Sequence, residues 1–185
     1  METQRLLMRR WRDSDRAPFA ALCADAEVMR HFPALLSLNE SDALVAKIEA
    51  HFDSHGFGLW ALERRGDSCF LGFTGLLRVD FNSPITGEVE IGWRLARAFW
   101  GEGYAREAAE AALNFGFGQL GLARIVSMTV EANTRSWSLM EKLGMERAPE
   151  LDFEHPRLPE GHPLRPHIVY AISAARTTRA PSQPT

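Results

Sequence analysis

The chain is poor in cysteine, with two in 185 residues. Neither Cys23 nor Cys69 belongs to a CxxC pair or to a His/Cys spacing of the kind that holds zinc. A disulfide framework and a structural metal are therefore not expected to organise it, and free thiols in a reducing compartment are. No run of eighteen apolar residues occurs, and the opening METQRLLMRR lacks the apolar stretch of a secretory leader. We therefore expect a cytoplasmic chain with no membrane partner. Excess positive charge is also missing: the net charge of −3 argues against nucleic acid as a partner. There is no internal repeat. Two common nucleotide signatures fail as well. After Gly101 and Gly103 the third glycine position of a dinucleotide fingerprint holds Arg106, and no GK[ST] follows. A formal GxGxxG at Gly116, Gly118 and Gly121 lies at the end of a helical pattern, where glycine terminates helices.

What is present is a globular composition. The hydrophobic fraction is 45%, and the length suits one domain, expected over residues 1–173. Residues 174–185 are polar, carry two prolines and read as a disordered tail. Along the chain, the pattern predicts a strand at 6–11 and a helix from Asp13 or Ser14 to about Arg30. Ser37 and Glu40 have capping-box spacing, and the helix they open puts Leu44, Ile48 and Phe52 on one stripe before Gly56. Strands follow at 59–64 and 70–79, with a turn at Gly66-Asp67. Further strands are expected at 88–95, 124–130, 151–154 and 165–172, and helices at 104–119 and 133–143. Pattern alone supports a mixed α/β domain.

Residues 88–119 organise the rest. Val89, Ile91, Trp93 and Leu95 alternate with Glu88, Glu90, Gly92 and Arg94, the period of a strand with one buried face. Trp100-Gly101-Glu102-Gly103-Tyr104-Ala105 follows, then Ala105, Ala108, Ala109, Ala112 and Leu113 at helical spacing. A helix that opens on a glycine turn offers unpaired N–H groups and the positive end of its dipole. That combination suits an anion, best a phosphate. Arg106 in the first turn could serve the same anion, or pair with Glu102 or Glu110.

The ordered set EIGW, WGEGYA and NTRSWSLMEKLGM resembles the GNAT acyl-CoA N-acyltransferase superfamily, and within it the RimJ/RimL-type branch. The likeness covers about residues 5–172. It implies a GNAT fold: a mixed central sheet of about seven strands flanked by about four helices. It also implies that acetyl-CoA is the cosubstrate and that no metal is required. The family motif Gln/Arg-x-x-Gly-x-Gly/Ala, whose amides hold the CoA pyrophosphate, falls on Trp100, Gly101, Gly103, Tyr104 and Ala105, with Trp100 in place of Gln or Arg. By position, Trp93 and Leu95 would pair with the pantetheine arm, and Asn133 and Ser136 would border the cofactor. From the residues alone, Asn133 reads as a helix N-cap and Ser136 as a first-turn hydrogen bonder.

Acetyl transfer needs a neutral amine and a group to take its proton. Neutralising a lysine of pKa about 10.4 at pH 7 costs about 4.6 kcal/mol, against about 1.4 kcal/mol for an α-amine near 8. That favours a protein N-terminal α-amine or a small-molecule amine as acceptor, in agreement with the branch. Glu90 is the candidate base, with Glu88 able to share the site and raise its pKa. Asp152, Glu154 and His155 are rivals, and a glutamate on the solvent side of a strand is also an ordinary surface charge. The tyrosine that many family members use as acid corresponds to Met140, so Ser136 is the candidate donor. Trp60, Trp93, Trp137, Phe115 and Phe117 read as core, whereas Phe32, Trp100 and Phe153 could line an acceptor pocket. Arg94, Arg97 and Arg135 could reach CoA phosphates. A monomer and a homodimer both fit the sequence. So does a second function, a CoA-binding module that has lost catalysis.

Overall fold

The computed structural model describes residues 1–174. The expected tail, apart from Ala174, lies outside the described residues. Eight strands form one sheet: β1 (Leu6–Arg9), β2 (Leu59–Arg64), β3 (Phe70–Arg78), β4 (Val89–Leu95), β5 (Arg124–Thr129), β6 (Glu146–Arg147), β7 (Phe153–Glu154) and β8 (Pro166–Ser173). The order is β1-β2-β3-β4-β5-β8-β6, with β7 also paired to β8. β1 to β4 run as an antiparallel meander. β4 and β5 are parallel, and β5 to β8 antiparallel. Among the described residues four α-helices accompany the sheet: α1 (Arg16–Cys23), α2 (Leu38–His55), α3 (Tyr104–Gly118) and α4 (Thr134–Lys142). The count exceeds the expected seven strands by β6, which at two residues is too short to show a period.

A parallel pair needs a crossover, and α3 supplies it. Its Ala108, Ala109 and Ala112 are fully buried. Gly116 lies so close to the sheet that a Cβ there would meet Ile125 Cδ1 at 2.7 Å and Leu76 Cδ1 at 3.1 Å. Small residues at this spacing let the helix axis settle directly on Leu76, Ile91 and Ile125. The opposite face of the sheet meets α1, where Phe19 packs edge-on to Trp11 at 4.8 Å and to Phe73 at 6.0 Å. The chain thus folds as helices on both faces of one sheet, which buries apolar side chains from each strand parity.

Several local readings hold and others change. Ser37 and Glu40 form the capping box, and Gly56 ends α2 in the left-handed region at φ 75°. α1 stops at Cys23, seven residues before the expected end at Arg30. Asp25 accounts for the early stop: its carboxylate accepts from the Glu27 N–H at 2.8 Å, offering the backbone a turn instead of another helical step. Asn133 stands before α4 but does not cap it with its side chain. Its Nδ2 donates instead to Thr129 Oγ1 at 3.0 Å, tying the helix start to the end of β5.

Candidate active site

β4 and β5 share one register pair, Glu90 with Val126, and among the described residues no further pair joins them. Ser127 Oγ donates to the Ile91 carbonyl at 2.9 Å and closes the joint. Beyond it the strands part. The antiparallel ladder decides what faces the opening. The Val79 N–H donates to the Glu88 carbonyl, and the Ala96 N–H to the Leu71 carbonyl. Even-numbered residues of β4 therefore bond to β3, and odd-numbered ones turn their N–H and C=O toward β5. Trp93 and the Leu95 N–H thus present free strand edge to the gap. The Leu95 carbonyl is different, because it accepts the Trp100 indole N–H at 2.8 Å.

The glycine corner stands at the mouth of this gap. Gly101 and Gly103 both adopt the left-handed region, at φ 82° and 81°, which explains glycine at both positions. Gly103 is the N-cap of α3 and has no side chain to satisfy the first turn. Among the described residues, no acceptor meets the N–H groups from Gly101 to Arg106, whereas the Glu107 N–H bonds to the Gly103 carbonyl. A Cβ on Gly101 would meet nothing within 4 Å and one on Gly103 only Arg5 Nη2, at 3.4 Å, so apart from Arg5 the corner is open. It is braced from behind. Arg5 Nη1 donates to the Glu102 carbonyl at 2.9 Å, and Arg5 Nε to Glu107 at 2.6 Å. These bonds fix the backbone of the corner, whose amides coincide with the positive end of α3. Arg106 does not join them: it pairs with Glu110 at 2.8 Å on the exposed surface.

A cleft of about 1430 Å³ runs through the gap. It exceeds the roughly 300–1,000 Å³ of an ordinary small-molecule site and has room for two substrates. Trp93, Leu95, Trp100, Gly101, Gly103, Tyr104, Ala105, Asn133 and Ser136 all line it, as does Glu90. Trp93 is half-buried, packed against the core and forming part of the cleft wall at once. Phe32 and Trp100 line the cleft, whereas Phe153 sits beside it, stacked on His167 at 5.6 Å. Arg135 lies over the Trp100 ring at 4.5 Å.

Burial pushes the Glu90 carboxyl up to about 7, and the charge of Asp80 adds to the effect. The expected partner Glu88 is not involved: it forms an ion pair with Arg124. The rival residues divide. Asp152 is engaged by Arg147 and by the Val169 N–H, and Glu154 by Arg165, so both have structural work. His155 and His167 line the cleft with ring centroids 5.0 Å apart, and burial lowers both pKa values. Met140 is fully buried in the core and can donate no proton.

Arg94 departs most from expectation. It lies on the Glu90 face of β4, not toward the glycine corner's phosphate-like site. Its guanidinium stacks on Phe32 at 3.9 Å and reaches the Cys23 sulfur of α1 at 3.4 Å. Glu88, Glu90, Gly92 and Arg94 share a parity that looked solvent-facing. The α1 layer and the loop after it cover that face, and only tertiary packing reveals this.

Residues 5–146 match the model of the acetyltransferase (GNAT) domain. The chain is 31% identical over 144 residues to the uncharacterized protein YkkB of Bacillus subtilis, covering 77% of this chain and 83% of that one. A GNAT-family acetyltransferase of Bacillus anthracis superposes with a TM-score of 0.77 at 26% identity, over 95% of this chain and 98% of the other. RimJ of Mycobacterium smegmatis, solved with CoA-disulfide, superposes with a TM-score of 0.74 at 18% identity, over 95% and 85% of the two chains, a likeness of fold alone. Splayed strands, an open amide corner and the family match agree, and the chain belongs to the GNAT family of N-acetyltransferases.

Proposed function

We propose that residues 1–173 act as one acetyl-CoA-dependent N-acetyltransferase domain of the RimJ/RimL type, working on a protein N-terminal α-amine or a small-molecule amine. The observation that carries the reading is the run of N–H groups from Gly101 to Arg106 that meet no acceptor among the described residues, at the N-terminus of α3, where Gly101, Gly103, Tyr104 and Ala105 line the cleft. They fit a diphosphate. The free edge at Trp93 and the Leu95 N–H fits an amide-containing arm laid in as an added strand. Bound there, acetyl-CoA would supply, as a thioester, the acetyl group that is transferred. Asn133 and Ser136 border it from α4.

The chain's own residues then handle protons and position. Glu90, with a pKa of about 7, is about half ionised at neutral pH and takes the proton from the acceptor amine. The amine nitrogen bonds to the acyl carbon as the carbon–sulfur bond breaks. In this reading Ser136, which lines the cleft, returns a proton to the departing thiolate. A thiolate of ordinary pKa about 8.5 also leaves readily with little help. A competing reading, a CoA-binding module without catalysis, is favoured by Met140 at the position of the usual acid. The perturbed Glu90 counts against it. Calorimetric titration with acetyl-CoA and thiol-release assays on an amine panel test the proposal. Binding with turnover is expected. Absence of binding at millimolar ligand removes the whole reading, and binding without turnover on any amine leaves the module.

A further inference from the structure

The Nε of Arg94 is buried and has no hydrogen-bond partner among the described residues. Buried donors of this kind are rare and call for a physical account. The other contacts of the side chain narrow it. Phe32 lies against one region of the guanidinium at 3.9 Å, and Phe73 lies 5.4 Å away. Stacking uses the flat faces and leaves the in-plane donors available. Nη1 donates to the sulfur of Cys23, a weak acceptor. Nη2 donates to nothing among the described residues. What remains is the Nε–Nη2 edge, the two-pronged side that binds carboxylates in bidentate fashion. Among the described residues no carboxylate is bonded to it, although two other arginines of the cleft are neutralised. Arg30 pairs with Glu27, and Arg157 with Asp80.

Position gives the second half of the argument. Arg94 lines the same cleft as Glu90, four residues further along the same face of β4. At about 3.3 Å per residue the two α-carbons lie roughly 13 Å apart along the strand. A molecule whose amine sits at Glu90 can extend toward Arg94. A polycation would meet an uncompensated guanidinium there and be repelled. We infer that the acceptor carries a carboxylate that docks on the Nε–Nη2 edge of Arg94, so that this enzyme acetylates anionic amines and not polyamines. The inference rests on the acetyl-transfer reading above. The carboxylate has two possible sources: the C-terminus of a small amino compound, or an acidic side chain next to a peptide N-terminus.

The test measures kcat/KM at saturating acetyl-CoA for wild type, Arg94→Gln and Arg94→Lys on three sets of amines. The first is Ala-Ala with a free carboxylate against Ala-Ala amide. The second is amidated hexapeptides with Glu or Gln at their second position. The third is spermidine. Wild type should favour the carboxylate member of the first or second set at least tenfold, and the set that shows the preference identifies the source. Arg94→Gln should reduce the preference to within twofold, and Arg94→Lys should keep part of it, because the charge survives without the fork. A wild-type preference for amides or spermidine overturns the inference, as does a preference that survives in Arg94→Gln. Should Arg94→Gln fail to fold, the wild-type ratios and Arg94→Lys decide alone. Failure to bind acetyl-CoA would instead remove the acetyl-transfer reading. Binding with no amine acetylated would remove that reading too, and this inference with it, whereas binding with transfer but no charge preference removes this inference only.

Discussion

Trp100 donates its indole N–H to the Leu95 carbonyl at 2.8 Å, joining the end of β4 to the start of the glycine corner. Trp100 stands where the family motif has Gln or Arg, and its side chain faces the strand end that leads into the corner. The bond fixes the distance between two parts of the proposed cofactor site: the strand edge and the open amides. Trp100→Phe keeps the ring and removes the donor. A lost hydrogen bond of this type is worth about 1 kcal/mol, or roughly fivefold in an equilibrium. The variant should raise KM for acetyl-CoA about fivefold and leave kcat within twofold in steady-state assays. A change in kcat with KM untouched would show that the indole serves the chemistry and not the cofactor.

The amide corner can be tested by charge. A Cβ on Gly101 would meet nothing within 4 Å, so a side chain fits sterically, at the cost of about 1–2 kcal/mol for the left-handed backbone. Gly101→Ala and Gly101→Asp share that strain, but only the second places a carboxylate beside the N–H groups proposed to hold a diphosphate. Calorimetric titration should show Gly101→Asp weakening acetyl-CoA at least tenfold relative to Gly101→Ala. Equal affinities would mean that the phosphates lie elsewhere.

Much of this arrangement was legible in the residues, and the failures share one physical origin. β2 appears at the expected residues, and α2 opens and closes where its capping box and glycine place it, because those signals are local. The amide corner was legible for the same reason: two glycines before an alanine stripe leave backbone donors with few other partners. Arg94 was not. Its alternation with Ile91 and Trp93 marks which residues share a face, but what covers each face depends on α1 and the loop after it. That loop continues a helical pattern in the sequence, but Asp25 redirects the chain through a single side-chain bond. Glu90 stands out in the sequence by its place in EIGW, but its carboxyl is raised first by burial, which the sequence does not show, and the charge that adds to it is not that of Glu88. Glu88 shares its strand face but is drawn off by Arg124 from β5, and the carboxylate that acts on Glu90 is Asp80, ten residues away in sequence.

The start of the chain depends on a buried ion cluster. Arg9 of β1 holds Asp15 at 2.7 and 2.8 Å and Glu63 of β2 at 2.7 Å, and Asp15 is 2% exposed. Asp15 also accepts from the Arg12 N–H at 2.8 Å, so it sets the turn into α1. Removing one partner of a buried pair costs about 3–5 kcal/mol, because the other charge is left without compensation. Arg9→Leu should therefore lower the melting temperature by about 10 °C at neutral pH. Replacing Arg9 and Asp15 together by Leu and Asn should recover part of the loss. A single variant that melts with the wild type would show that water reaches the cluster.

Glu90 yields a prediction with two independent readouts. As a base it must be ionised, so kcat/KM should rise with pH through about 7 and then level off. The other charged or titratable groups around it are Asp80, which raises its pKa, and His155, His167 and Arg157 along the same cleft. Glu90→Gln should remove the pH step and lower kcat by about 10²–10⁴-fold. Stability should move the other way. The folded pKa lies above the ordinary carboxylate value of 4.5, so the native state binds the proton more tightly than the unfolded chain. The favourable contribution is complete below pH 4.5 and is lost as pH rises through 7. Glu90→Gln carries no ionisation to lose. It should melt higher than wild type at pH 8, with the gap closing as pH falls toward 4.5. A variant that loses activity without gaining stability at pH 8 would show Glu90 to be ionised at no cost in the folded chain, and one that keeps its activity and its pH step would move the proton acceptor to His155 or His167.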